Sequence, residues 1–273
     1  MPELPEVETI ARGLRQAVGR RIVAVDVRWP RTVAMPDPAA FAARLCGQCI
    51  ADVGRRGKWL VLSLDSGAAL LIHLRMSGRL ILEADGAATD HHARVLLSLD
   101  DGRRLRFSDP RKFGRMALTD DPAEVLGALG AEPLSEEFTA ERLARILAGR
   151  RTRLKPFLLE QRHLAGLGNI YTDEALWRAR LHPLRRADSL NEEEIERLHG
   201  AIREVLSEAV AGRGTTLDDT RYVGADGLPG EFAGQLAVYG QAGQACPRCG
   251  SPVVRIVVGG RGTHLCPCCQ PPL

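Results

Sequence analysis

The chain opens with an imino acid beside two carboxyl groups. Once Met1 is removed, Pro2 presents a free secondary amine next to Glu3, and Glu6 follows three residues later. Such an amine can attack an electrophilic carbon, for example C1′ of a sugar, and the resulting iminium cation has no N–H proton to lose. The cation therefore stays an electron sink, which suits elimination chemistry. Because an α-amino group has an ordinary pKa of about 8, a sizeable neutral fraction of the nucleophile exists at pH 7.

The same residues also suit the first turn of a helix. Pro2 and Pro5 are favourable at a helix start, and acidic side chains are favourable near its positive end. Apolar residues then repeat at helical spacing from Leu4. The two interpretations are compatible, because a helix from about residue 4 would hold Glu3 and Glu6 rigidly beside the amine.

Four cysteines near the C-terminus have the spacing of a metal site. Two C-x2-C pairs are separated by sixteen residues, and an odd total of 7 cysteines argues against a disulfide framework. Each pair supplies two thiolates, so the two pairs complete a tetrahedral zinc site. Spacing alone also permits a ligand set that includes Cys268. The predicted ligands are Cys246, Cys249, Cys266 and Cys269.

Between these pairs the sequence predicts a hairpin. Residues 253–258 and 263–265 have strand character, and the glycine-rich turn 259–262 carries Arg261 at its tip. A further C-x2-C pair, Cys46 and Cys49, has no partner pair nearby, so we interpret it as two buried structural thiols.

The composition indicates a globular protein of 273 residues with 45% apolar content, long enough for two domains. The net charge of +3 does not by itself indicate nucleic-acid binding. Arginine accounts for almost all of the 37 basic residues, and the lysines are Lys58, Lys112 and Lys155. No apolar run reaches 18 residues, and the acidic N-terminus is unlike a signal peptide, so we expect a cytoplasmic protein without a membrane span.

Hydrophobic periodicity changes near the middle of the chain, which predicts an α+β fold. Short alternating runs up to about residue 118 indicate a β-sandwich or flattened barrel with a flanking N-terminal helix. Helical periodicity follows, including a long helix whose capping box is formed by Asn191 and Glu194. The glycine-rich segment 213–235 is a candidate lid. We predict domains at residues 1–125 (β-sandwich), 132–235 (helical, including this segment) and 236–273 (zinc finger).

Two further sets of residues could contact nucleic acid. Lys155 and Asn169 flank a glycine turn, and the helix that begins at Asn169 would offer free N–H groups to a phosphate. Met76, Arg111 and Phe113 combine apolar wedges with a cation at predicted loop tips, as required to open a base stack. Taken singly, each segment also fits an ordinary helical hairpin or a packed Met or Phe beside a surface Arg.

Taken together, these motifs resemble the formamidopyrimidine-DNA glycosylase family over essentially the whole chain. The matching motifs occur in the family's order, and two details depart from its pattern: Arg75 stands where a small residue is usual, and Cys268 adds a thiol inside the second knuckle. The motifs are residues 2–9, 56–58, 73–78, 109–114, 166–174 and 238–240 and the four-cysteine finger.

The resemblance implies a base-excision repair enzyme that removes oxidised purines, such as 8-oxoguanine and formamidopyrimidines, and then nicks the strand by β,δ-elimination. Pro2 would be the nucleophile that forms a Schiff base at C1′, and Glu3 would assist sugar ring opening and later proton transfers. Glu6 would help to position the base and the proline. Lys58 would contact a phosphate and the catalytic region.

For DNA binding, the resemblance implies a helix-two-turn-helix domain and a set of void-filling side chains. Arg111 would bond the orphaned cytosine and Phe113 would wedge the neighbouring base step, with Met76 completing the set. The expected partner is duplex DNA carrying an oxidised purine opposite cytosine, bound by a monomer with one structural Zn2+. The remaining expected DNA contacts are His92, Lys155, Asn169, Tyr239 and Arg261.

Three other functions remain open at this stage. An endonuclease VIII-type enzyme shares the proline chemistry and the finger but prefers oxidised pyrimidines. A non-catalytic zinc-finger DNA-binding protein would need neither Pro2 nor Glu3. An amino-terminal proline tautomerase would need neither the finger nor the wedge residues.

Overall fold

The computed structural model describes residues 1–84, 86–88, 90–217 and 222–272. It confirms the predicted α+β class and divides into two compact units, Met1–Ala128 with Gly212–Glu231, and Leu129–Ala211 with Phe232–Leu273. The helices are α1 (Leu4–Leu14), α2 (Pro38–Leu45), α3 (Ala123–Leu126), α4 (Ala140–Leu147), α5 (Leu154–Leu159), α6 (Asn169–Arg178) and α7 (Glu192–Ala211). The strands are β1 (Ile22–Val27), β2 (Val33–Met35), β3 (Ile50–Arg56), β4 (Trp59–Leu64), β5 (Ala69–His73), β6 (Arg79–Ala84), β7 (Ala93–Leu99), β8 (Arg103–Ser108), β9 (Arg115–Thr119), β10 (Val254–Val258) and β11 (Arg261–Leu265).

The first unit is a β-sandwich. One sheet has the order β1-β7-β8-β6 and the other has the order β2-β9-β5-β4-β3. Alternating side chains from both sheets, among them Val95, Leu62 and Ile72, share one apolar core with helices α1 and α2. This is the arrangement in which each sheet buries one face against the other.

Strand β5 is buried along its whole length, which explains why its sequence reads as a continuous apolar run. Leu70 and Ile72 face the sandwich core, whereas Ala69 and Leu71 face a second cluster that includes Val125 of α3. A strand covered on both faces loses the polar alternation of a half-exposed strand. The end of β5 is therefore a rigid support for the residues that follow it.

The second unit contains helices α4 to α7 and the cysteine-bearing hairpin. The capping box predicted at the start of α7 is present, since Glu194 N–H donates to Asn191 Oδ1 (2.9 Å) and Asn191 N–H donates to Glu194 Oε2 (3.0 Å). Val238, Val253 and Trp177 form an apolar cluster around the finger. Within the described parts of the chain, every helix is too short or too polar to span a bilayer.

Helix α5 is short and ends at Leu159, just before the turn that leads into α6. The side chain of Gln161 bonds the backbone of that turn: its Nε2 donates to Leu159 O (3.0 Å) and Leu167 O (2.8 Å), and its Oε1 accepts from Gly166 N–H (2.9 Å). Side-chain bonds of this kind compete with helix continuation. They shape the glycine turn that leads into α6.

Segment Gly212–Glu231, which the sequence analysis placed in the helical domain, clusters with the sandwich. Tyr222 and Ala225 belong to the sandwich core, and Leu82 N–H donates to Ala225 O (2.9 Å). The finger in turn clusters with the helices and does not form a unit of its own. Residues 218–221 of the predicted lid lie outside the described residues.

The prediction that Cys46 and Cys49 are buried structural thiols is wrong. Cys46 is exposed and Cys49 is partly exposed. The two residues flank a tight turn at Gly47, which has a φ of +88°. A turn of this kind at the edge of the sandwich leaves little cover for its side chains.

Candidate active site and nucleic-acid interface

The N-terminal residues lie in a protected position at the start of α1. Met1 is exposed, whereas Pro2 is buried and Glu3 has only 2% of its surface exposed. Glu3 caps the helix, and its backbone N–H donates to Glu6 Oε2 (2.7 Å). The sequence expectation of a helix from residue 4 is confirmed, and the cap fixes the backbone immediately after Pro2.

Glu6 also ties this turn to the segment that returns from the second unit. Its Oε1 accepts from Thr215 N–H (2.8 Å), and a Cβ on Gly214 would lie 2.9 Å from the same oxygen. The Tyr222 hydroxyl donates to Arg213 O (2.8 Å), and burial, followed by the charge of Glu6, raises the pKa of this phenol. The carboxylate of Glu6 is thus held between two backbone N–H donors that are 212 positions apart in the chain, residues 3 and 215.

Lys58 lies in the turn that joins β3 to β4, near enough to His73 at the end of β5 for its charge to act on that ring. Lys58 is 5% exposed, and Trp59, its neighbour, pairs with His73 across the sheet with ring centroids 4.9 Å apart. Burial, together with the charges of Arg75 and Lys58, lowers the pKa of His73 to about 3. His73 is therefore neutral at pH 7, and its Nδ1 accepts from Arg75 N–H (3.0 Å).

The residues expected to enter the DNA stack are exposed at loop tips. Met76 (40% exposed) follows β5, and Phe113 (46% exposed) lies in the loop between β8 and β9. The guanidinium carbon of Arg111 lies 4.8 Å from the centroid of the Phe113 ring, which is cation–π distance. His92 lies next to the start of this loop, because its carbonyl accepts from Asp109 N–H (2.9 Å).

Lys155, an expected phosphate contact, is buried and paired within the second unit. It is fully buried, and its Nζ donates to Asp173 Oδ1 (2.6 Å) and to Gly262 O (3.1 Å). Asn169 Nδ2 donates to the same carbonyl (2.9 Å). The ammonium is therefore desolvated and bonded to Asp173 and to the hairpin carbonyl that also accepts from Asn169.

Replacing Lys155 by Met should therefore destabilise the second unit strongly. The change leaves the buried Asp173 carboxylate without its counter-charge, a loss that typically costs about 3–5 kcal/mol of unfolding free energy. Urea unfolding followed by helical circular dichroism measures the effect, because helices α4 to α7 lie in the second unit. The matched control is Arg197→Met, which breaks the exposed Arg197–Glu193 pair and should cost about 0.5 kcal/mol or less. Equal losses in the two variants would contradict a structural role for the buried pair.

Two acidic residues of α6 hold the segments that carry Tyr239 and Arg261, and sequence reasoning missed both. Glu174 is buried and accepts from the backbone N–H groups of Ala237, Val238 and Tyr239 at 3.0, 2.9 and 2.8 Å. Burial raises the pKa of Glu174, and the three N–H donors oppose that rise. Asp173 Oδ2 accepts from His264 N–H (2.8 Å) on β11. The sequence signal that could have identified them is the pair of adjacent acidic residues, Asp173 and Glu174, within a predicted helix.

Arg261 is exposed at the first residue of β11. The hairpin turn is tighter than predicted: Gly259 and Gly260 both have positive φ, and Val258 pairs directly with Arg261. Two successive left-handed residues match the twist of a two-residue hairpin, so glycines are needed at both positions. The side chain of Arg261 thus projects from the strand end.

The four predicted cysteines form one compact cluster. All four Sγ atoms lie within 4.8 Å of one another, with Cys246 and Cys269 at 3.9 Å and Cys249 and Cys266 at 3.4 Å. Four thiolates at about 2.3 Å from a tetrahedral metal ion would be spaced by about 3.8 Å. The geometry therefore fits a metal site with these ligands, and the exposed Cys268 lies outside the cluster.

Comparison with known proteins covers the same three regions. Residues 1–116 match the formamidopyrimidine-DNA glycosylase N-terminal domain, residues 129–220 match the H2TH domain of that enzyme, and residues 243–272 match a zinc finger found in FPG and IleRS.

Whole-chain relatives agree. A formamidopyrimidine-DNA glycosylase of Roseiflexus sp. is 48% identical over 99% of this chain and 100% of that protein. The crystal structure of MutM (Fpg) from Thermus thermophilus has a TM-score of 0.90 and 47% identity, covering 98% of each chain. A Lactococcus lactis FPG mutant in complex with Fapy-dG-containing DNA has a TM-score of 0.92 and 36% identity, covering 99% of this chain and 100% of that chain.

A β-sandwich with a buried N-terminal Pro-Glu pair, joined to an H2TH domain and a four-cysteine finger, defines a bifunctional DNA glycosylase and AP lyase of base-excision repair. This confirms the resemblance read from the sequence motifs. The chain belongs to the formamidopyrimidine-DNA glycosylase family.

Proposed function

We propose that this enzyme excises oxidised purines, including 8-oxoguanine and formamidopyrimidines, from duplex DNA in which they face cytosine, and then cleaves the strand by β,δ-elimination through a Schiff base at Pro2. The observation that carries the proposal is the burial of Pro2 and Glu3 at the start of α1, where Glu3 is the N-cap residue and its backbone N–H donates to Glu6. Once Met1 is removed, the Pro2 nitrogen is a secondary amine beside carboxyl groups, which supply the proton carrier that the reaction needs.

The reaction balances with these groups and one water molecule. The Pro2 nitrogen attacks C1′ and the C1′–base bond breaks, so the base leaves with the bonding electrons and takes up a proton. Glu3 delivers a proton to O4′ as the sugar ring opens, which leaves an iminium between Pro2 and C1′. Loss of a C2′ proton then expels the 3′ phosphate, loss of a C4′ proton expels the 5′ phosphate, and hydrolysis frees the amine.

Glu6 would act by positioning. Its carboxylate holds both the backbone of Glu3 and Thr215, at the base of the segment that continues toward residues 218–221. Lys58, buried beside the neutral His73, would place a positive charge near the strand phosphate.

DNA binding would come from residues of each unit. In the first unit, Arg111 would bond the orphaned cytosine, Met76 and Phe113 would fill the gap left by the extruded nucleotide, and His92 would contact the backbone. In the second unit, Asn169, Tyr239 and Arg261 would contact phosphates, with Lys155 supporting Asn169 and the hairpin from below. We further propose that the enzyme acts as a monomer in the cytoplasm, where a bacterial chromosome lies.

Zinc is the ion we assign to the four-thiolate cluster. Cys246, Cys249, Cys266 and Cys269 would hold one Zn2+, whose role is structural because four thiolates leave no position for a reacting water. Trp177 Nε1 donates to Cys246 Sγ (3.4 Å), a bond that favours the thiolate form in which cysteine binds a metal.

A borohydride trapping experiment tests the proposal. Duplex DNA with 8-oxoguanine opposite cytosine should give a covalent adduct that maps to Pro2, and a nicked product with phosphate at both ends of the gap. Binding without trapping would favour a non-catalytic DNA-binding protein. Preference for a thymine glycol duplex would favour the oxidised-pyrimidine enzyme, and either outcome overturns the proposed substrate or chemistry.

A further inference from the structure

Two loops of the sandwich carry the exposed residues that face outward as wedges. The Met76 loop, residues 74–78, follows β5, and the Phe113 loop, residues 109–114, joins β8 to β9. These loops are separated by three strands in the sequence, so nothing in the chain order requires them to act together. Their contacts show that they are joined.

One buried carboxylate bonds both loops. Asp109 is 0% exposed, and its Oδ1 accepts from the Ser77 hydroxyl (2.5 Å) and from Arg111 N–H (3.2 Å). Its Oδ2 accepts from Gly114 N–H (2.7 Å). Asp109 thus closes the Phe113 loop on itself and, through the Ser77 hydroxyl, fastens the Met76 loop to it. Bonds to a buried ionisable group are among the stronger hydrogen bonds in proteins.

Both loops also pack on the same aromatic ring. A Cβ built on Gly78 would lie 3.0 Å from Phe107 Cε2, and one built on Gly114 would lie 2.3 Å from Phe107 Cζ. Phe107 is fully buried on β8. Glycine is required at Gly114, because nothing larger fits between the loop and the ring. The two loops therefore pack on the same side chain, Phe107, and bond the same carboxylate, Asp109.

The residue before each wedge has the same unusual conformation. Arg75, which precedes Met76, has a φ of +54°, and Lys112, which precedes Phe113, has a φ of +59°. A left-handed residue other than glycine persists only where its surroundings hold it. For Lys112 the surroundings include Trp29, whose ring centroid lies 3.9 Å from Nζ. Arg75 is held by its backbone N–H, which donates to His73 Nδ1 (3.0 Å), so the backbone before each wedge residue has a fixed conformation.

We infer that Ser77 and Asp109 are positioning residues that join the two loops into one body, so that Met76, Arg111 and Phe113 enter the duplex together. The inference rests on the proposed function, since it presupposes a damaged duplex. If the loops are joined, a mismatch between Arg111 and the opposite base also hinders insertion of Met76 and Phe113. If the loops are separate, Met76 can insert whichever base faces Arg111. The Ser77–Asp109 hydrogen bond thus increases the discrimination between cytosine and other bases opposite the lesion.

The test compares Ser77→Ala with Ser77→Thr, which keeps the hydroxyl, and with Thr119→Val. Thr119 is the matched control, because it is 4% exposed in the same unit and its hydroxyl also donates to a carboxylate, Glu124 Oε2 (2.9 Å). One readout is the ratio of kcat/KM for 8-oxoguanine opposite cytosine to that opposite adenine. The second is the fluorescence of 2-aminopurine beside the orphaned base in a duplex with a stable abasic-site analogue, which reports wedge insertion without catalysis.

Ser77→Ala should lower the cytosine-to-adenine ratio about tenfold, as expected for loss of one hydrogen bond to a carboxylate. Its 2-aminopurine fluorescence should change in two kinetic phases, one for the insertion of each loop. Ser77→Thr and Thr119→Val should show one phase and the wild-type cytosine-to-adenine ratio. An unchanged ratio and a single phase in Ser77→Ala would overturn the inference, as would equal changes in Thr119→Val. If the wild-type enzyme excises nothing, the proposed function fails, and the abasic-analogue signal still decides whether the loops are coupled.

Discussion

Replacing Pro2 by Gly is expected to abolish the borohydride-trapped crosslink and to lower lesion excision by roughly a thousandfold or more, the scale seen when an enzyme loses its nucleophile. Glycine keeps an amine at the chain start, but the imine it forms can lose a proton and become neutral. The electron sink that drives elimination is then lost. Glycine also removes the ring that fixes the backbone where Pro2 is buried ahead of the Glu3 cap.

Denaturing gels of the trapped complex measure this effect, and intact mass must show that Met1 is absent from both proteins. Pro5→Gly is the matched control, because Pro5 lies in the first turn of α1 and is also buried. If the N-terminal prolines served only to start the helix, the two variants would behave alike. A crosslink of wild-type intensity in Pro2→Gly, or one that maps to the buried amine of Lys58, would refute the assignment.

The sequence predicted the N-terminal helix, the capping box of α7 and the cysteine cluster because the informative residues are local. The Pro2-Glu3 pair, the Asn191 capping box and the C-x2-C pairs each lie within four residues, where spacing alone restricts geometry. The same holds for β5, whose continuous apolar run reflects burial on both faces. For such features, residues that are close in the sequence are also close in the structure, so sequence spacing predicts the geometry.

The supports of the site could not be found this way, because their partners are far apart in the chain. Glu6 bonds Thr215, 209 positions away, and Lys155 bonds the carbonyl of Gly262, 107 positions away. No periodicity connects such residues. Lys155 therefore looked like a surface cation in the sequence, although the fold buries it against Asp173. In the sequence, a charged residue that binds a ligand looks the same as one that stabilises the fold. Only the tertiary structure distinguishes the two.

Removing the metal from the finger should weaken duplex binding by about a hundredfold or more while the sandwich stays folded. A finger of this size depends on its metal for folding. Its hairpin carries Arg261 and supplies Gly262 O, the acceptor shared by Lys155 and Asn169, so unfolding the hairpin disturbs all three. Loss of the Arg261 phosphate contact should also reduce the slope of log K against log salt by about 0.9, because a cationic side chain releases counterions from DNA.

Cys249→Ser provides the same test without a chelator. It removes one of the four clustered thiols, and Cys268→Ser is its matched control, because Cys268 is an exposed thiol in the same finger outside the cluster. Salt-dependent binding to an abasic-analogue duplex measures affinity, and amide hydrogen exchange of β4 and β5 reports the sandwich. Cys249→Ser should lose affinity with unchanged exchange in those strands, and Cys268→Ser should match wild type. Wild-type affinity in metal-free protein would show that the finger does not hold DNA, because the contacts around Gly262 would then be dispensable.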